Sequence, residues 1–130
     1  MIMSYKEYNV NPKTNKAGDC VIRAISLALN QSWEQTYKDL CELGLKKCRM
    51  PNDPKVYESY LKDRGWVKCS EPRNWDNTKM KVYQALPFIN EHILIIYAGS
   101  RHLTCAIDGV VYDTWNSSKQ TMHTYWRKEK

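Results

Sequence analysis

At 130 residues, with 42% apolar and 26% charged side chains, the chain can close one hydrophobic core and is read as a single domain over residues 1–130. A formal charge of +6 is spread thinly, with runs only at Lys46–Lys47 and Arg127–Lys130, so a solvated basic surface is expected ahead of a nucleic-acid groove, which stays open as a lesser alternative. No apolar run nears the ~20 residues of a membrane span, and the N-terminal stretch lacks a signal-peptide layout. Five scattered cysteines without a C-x-x-C argue against disulfides and zinc, so a cytoplasmic chain without cofactors or metal is expected.

The first predicted helix begins at Cys20. Gly18 and Asp19 read as a turn and an N-cap, followed by apolar residues at helical spacing (Val21, Ile22, Ile25, Leu27, Ala28, Leu29). Asn30 and Gln31 break it. Ser32–Gln35 is a capping box that opens a second helix to about Lys47, with Trp33, Tyr37, Leu40 and Cys41 on one face. Asn52–Asp53–Pro54 starts a third, whose stripe is Val56, Tyr57, Tyr60 and Leu61, and Gly65 ends it. Residues 70–77 read as a loop and 78–86 as a short helix.

The pattern then changes to strands. His92–Ala98 is a β-branched run, residues 99–101 turn the chain, and His102–Ile107 follows. Asp108–Gly109 is a two-residue hairpin signal, Val110–Trp115 returns, residues 116–119 turn, and residues 121–126 form a last strand. The expected class is α+β, with N-terminal helices packed on a C-terminal antiparallel sheet.

Hairpin register carries the functional argument. With Asp108–Gly109 as the whole turn, Ile107 faces Val110, Thr104 faces Asp113 and His102 faces Trp115. These alternate residues share one face. A carboxylate can hold one imidazole nitrogen there and leave the other free, with an indole as a shield. Cys20, at a helix start, sits where a thiolate is favoured, provided the sheet packs against that end. The plain alternatives are a core cysteine, a solvent-facing strand-end histidine and a turn-capping aspartate. His92 and His123 offer no recognisable partner and read as structural or exposed, while Trp33, Trp66, Trp75 and Trp126 read as core or rim.

The stretches "GDCVIRAI" (Gly18 to Ile25) and "HLTCAIDGVVYDTWN" (His102 to Asn116), together with the helical first half, resemble the small papain-like cysteine peptidases found among bacteriophage proteins. The resemblance implies a papain-like fold and a cysteine-dependent peptidase or amidase. Cys20 would be the nucleophile, His102 the base and Asp113 the orienting group. The substrate would be a peptide or protein, with a host protein included, in the host cytoplasm. Papain sets its orienting Asn further beyond its histidine, which makes Asn116 a competitor, although its strand parity is opposite to that of Asp113. Papain's oxyanion-hole Gln has no counterpart before Cys20. The Cys20 N–H with Asn11 or Asn15 is the substitute, and no long insertion is available to build a deep cleft. Acyl transfer of the transglutaminase type is the alternative chemistry. A non-catalytic accessory protein that binds a host protein or nucleic acid is the alternative class.

Overall fold

The structure, a computed structural model, describes residues 4–130; Met1 to Met3, part of the stretch read for a signal peptide, lie outside the described residues. The chain order is β1 (Tyr5–Glu7), α1 (Cys20–Leu29), α2 (Trp33–Lys47), α3 (Pro54–Asp63), β2 (Trp66–Cys69), α4 (Val82–Ala85), β3 (Ile93–Ala98), β4 (His102–Ile107), β5 (Val110–Asp113) and β6 (Met122–Lys128). It is α+β, with four helices and one six-stranded mixed sheet in the order β1-β5-β4-β3-β6-β2. No helix among the described residues is long and apolar enough to cross a membrane.

Local signals account for most helix ends. The Ser32 hydroxyl accepts from the Gln35 N–H to start α2. The Asp53 carboxylate accepts from the Lys55 N–H at 2.8 Å, with Pro54 at the first helical position of α3. The stripe Val56, Tyr57, Tyr60 and Leu61 is buried as its spacing predicts. On α2 the buried face differs from the expected one and runs through Thr36, Leu40 and Gly44, while Tyr37 is exposed and stacks on Trp33 at 5.1 Å. Two features turn the helix. Ser26 donates to the Thr36 hydroxyl at 2.7 Å, so a polar residue is satisfied inside. At Gly44 an added Cβ would stand 2.7 Å from the Arg49 carbonyl, so the α2–α3 connection packs against bare backbone.

The sheet is not the expected C-terminal antiparallel unit. β1, from the N-terminal segment, pairs parallel with β5, and β2, between α3 and α4, pairs antiparallel with β6. Neither edge strand was predicted, because each is only three or four residues long and carries lysine. β6 pairs with β3, not with its chain neighbour β5. The short helix expected over 78–86 contracts to Val82–Ala85 with a 3-10 turn at Leu86–Phe88, because Lys79 and Lys81 form isolated bridges to Arg73 and Thr121.

Both faces of the sheet are covered, which is why Leu94, Ile95 and Ile96 are buried in succession. Ile95, Leu103, Cys105 and Trp126 pack with α1, α2 and α3. Leu94, Ile96, Ala106, Val111 and Met122 pack with the α4 segment. The β4–β5 hairpin has the expected register, Ile107 opposite Val110 and Cys105 opposite Tyr112. Asp108 (φ 51°) and Gly109 (φ 78°) both take the positive φ that such a two-residue turn requires. β5 ends at Asp113, so Trp115 belongs to the following turn and not to the strand.

Candidate active site

α1 packs against β4, and this contact brings the head of the cysteine helix to the first residue of the histidine strand. His102 Nε2 lies 2.7 Å from Asp113 Oδ2. The same oxygen accepts from the Thr104 and Ser117 hydroxyls, each at 2.6 Å, while Oδ1 accepts from the Thr114 N–H at 2.7 Å. With Nε2 held, Nδ1 is the ring nitrogen left open, and His102 and Cys20 line the same cleft. The Trp115 ring lies over the imidazole at 4.7 Å between centroids and shields it from one side.

The surroundings favour the charged form of all three groups. Burial pushes the Cys20 thiol up, but the bonds from His102 and Leu103 and the charges of His102 and Arg23 outweigh it, so the thiol titrates below its usual range. Burial pushes His102 down, yet the bonds to Asp113 and Cys20 and their charges raise it to about 9. Burial opposes the Asp113 carboxylate too, and the donors His102, Ser117 and Thr104 bring it below the ordinary value. Each shift runs toward the charged form: thiolate for Cys20, imidazolium for His102 and carboxylate for Asp113. Cys105 shows the opposite environment. Burial in the core, with the Asp113 charge adding to it, pushes its thiol strongly upward.

The other expected site residues lie elsewhere. Asn116 is not on His102. Its Oδ1 accepts from the Ser118 N–H and hydroxyl and caps the 3-10 turn Ser117–Lys119. The buried Asn11 donates its amide to Asp19 Oδ2 at 3.0 Å and accepts from the Lys13 N–H, so it is committed to its own loop. Asn15 is exposed and outside the wall of the cleft beside Cys20. Asp19 stands at the N-cap position but makes no capping bond, because Asn11, Arg23 and Trp33 take its carboxylate. The first N–H groups of α1 therefore have no side-chain acceptor, and they are the donors available to an oxyanion.

Two histidines read as unpartnered do have partners. His92 Nδ1 is 2.5 Å from Asp108, and His123 Nε2 is 2.9 Å from the Gly99 carbonyl, with Nδ1 3.6 Å from Glu71. Arg23 was missed entirely. Its spacing of four from Asp19 and three from Cys20 was the available signal. A cleft of about 510 Å³ opens beside Cys20 and His102, walled by Val21, Met50, Tyr57, Tyr97 and Arg101. The α2–α3 connection supplies Met50 to that wall, so a cleft forms without a long insertion. Among the described residues no cluster of three or more His, Cys, Asp or Glu could hold a metal ion. No protein-family model, curated protein or solved structure matches this chain.

Proposed function

We propose that this chain is a papain-like thiol hydrolase that cleaves a peptide or amide bond. One observation carries the reading: an imidazole held by a buried carboxylate lines the same cleft as a thiol at the head of a helix. The order Cys20, His102, Asp113 and the helix-on-strand setting of the thiol support the papain-like assignment.

The chemistry follows from the charges. The Cys20 thiolate attacks the carbonyl carbon, and the oxyanion forms against the free N–H groups at the start of α1. The tetrahedral intermediate collapses as His102 gives its proton to the leaving amine, which leaves a thioester on Cys20. His102, now neutral, takes a proton from water as the water attacks the thioester. The acid is released, and the thiolate and imidazolium are restored. Asp113 stays ionised throughout and fixes the ring. The bacteriophage setting implied by the resemblance makes a host protein the first substrate to try.

Alkylation tests the reading without a known substrate. Access alone ranks the exposed Cys48 ahead of the half-buried Cys20. An activated thiolate reverses that order, and Cys20 should react with iodoacetamide about tenfold faster than the other four thiols at neutral pH. Host lysate incubated with the protein should then yield new peptide termini that vanish with Cys20→Ala. Ordinary reactivity at Cys20, or termini indifferent to Cys20→Ala, overturns the proposal.

A further inference from the structure

We infer that Arg23 is a positioning residue, shared between Asp19 and Asp113, that sets how strongly Asp113 holds His102. The inference rests on the reading of Asp113 as the group that orients His102.

Arg23 follows Cys20 by three residues and Asp19 by four, so all three lie along one side of the helix head. Its Nη1 bonds Asp19 Oδ1, and its Nη2 lies 3.7 Å from Asp113 Oδ1. The Arg23 side chain is 14% exposed and both carboxylates are 3% exposed, so solvent screens these charges weakly. The two oxygens of Asp113 have different duties. Oδ2 takes His102, Thr104 and Ser117, whereas Oδ1 takes the Thr114 N–H and the charge of Arg23. His102 and Arg23 are therefore two cations competing for one buried carboxylate from opposite sides.

Asp19 decides that competition. It does not cap its own helix; Trp33 Nε1 at 2.8 Å and the Asn11 amide at 3.0 Å hold it beside Arg23. The guanidinium is bonded to Asp19 and stands off from Asp113 beyond hydrogen-bond reach. Asp113 is left mainly to His102. Other charged and titratable groups around His102 are Cys20 on α1, Asp53 at the N-cap of α3, Tyr57 on α3, Tyr97 on β3 and the adjacent Arg101, all of which line the cleft; the Asp53 carboxylate is engaged by Arg49 and the Lys55 N–H. None of these bridges two carboxylates.

A purely structural ion pair would change stability alone, but a shared cation makes opposite predictions for its two ends. The proton on His102 can be followed by NMR, with His92 and His123 as controls in the same spectrum. Arg23→Gln removes the competitor, and the His102 midpoint should rise by about half a pH unit, about a threefold gain in proton affinity. Asp19→Asn releases Arg23 onto Asp113, and the midpoint should fall by a similar amount. Arg23→Lys, whose single ammonium stays with Asp19 one turn away, should shift in the direction of Arg23→Gln and serves if that variant fails to fold. Unmoved midpoints, or shifts of one sign in Arg23→Gln and Asp19→Asn, overturn the inference. The readout is a proton and not turnover. A protein without hydrolase activity but with opposed shifts sinks the hydrolase reading alone, and an active one without them sinks only the role of Arg23.

Discussion

The sheet carries two histidine–aspartate pairs, and the shorter one has less chemistry in it. His92 and Asp108 approach to 2.5 Å at the tip of the hairpin, with side chains 69% and 72% exposed. His102 and Asp113 are 2.7 Å apart, with side chains 11% and 3% exposed. Water solvates and screens the first pair, so its attraction adds little to what each group has alone. The second pair has lost its water and must be satisfied by protein. Asp113 gathers two hydroxyls and a backbone N–H besides the imidazole, and the ring keeps one nitrogen open beside the cleft that Cys20 also lines. Separation alone does not set the two pairs apart; burial and the remaining partners of the carboxylate do.

Substituting one pair at a time should widen this contrast most. On a cleaved peptide, His102→Ala is expected to lower kcat/KM about 100- to 10,000-fold, while His92→Ala leaves it unchanged. In urea unfolding, Asp113→Ala should cost about 3–5 kcal/mol, because His102 and two hydroxyls lose their buried acceptor and Arg23 loses a neighbouring charge. Asp108→Asn should stay within about 0.5 kcal/mol. Equal losses at the two sites would erase the distinction.

The pH dependence sharpens it further. His102 binds its proton more tightly folded, at about 9, than at its ordinary 6.5. Its contribution to stability is therefore full below about pH 6.5 and is lost as pH rises through about 9. Tm should fall across that window, a fall that His102→Gln reduces and His92→Gln leaves in place. Turnover should decline on the same alkaline limb as the imidazolium that protonates the leaving amine disappears. Asp113 acts oppositely: its contribution is present above the ordinary carboxylate value of 3.8 and is lost as the solution is acidified. The smallest effect belongs to Trp115, which is 43% exposed and only covers the imidazole. Trp115→Ala should lower kcat/KM about 3- to 10-fold, the worth of one aromatic contact, with Trp115→Phe recovering most of it.

What was legible in the sequence was local. Ser32 and Asp53 start helices through bonds that span two or three residues. Asp108–Gly109 sets a turn and therefore a register, and alternation along β4 and β5 then delivers His102, Thr104 and Asp113 to a common point. Strand parity favours Asp113 over Asn116 but leaves the choice open, and Asn116 proves to lie beyond β5, capping a 3-10 turn. What only the tertiary structure decided depends on partners distant in the chain. β1 is three residues whose strand character comes from Val111 to Asp113, more than a hundred positions on. The buried face of α2 is turned by Ser26 and by the close approach at Gly44. Asp19 gives up its cap because Trp33 and Asn11 fold over it, which leaves the helix head open and ties Arg23 between two carboxylates. The meeting of Cys20 with His102 belongs to the same class. Each element was readable alone, but the packing of α1 on β4 joins residues with no local bond between them, and non-local contacts of that kind leave no periodic trace in the sequence.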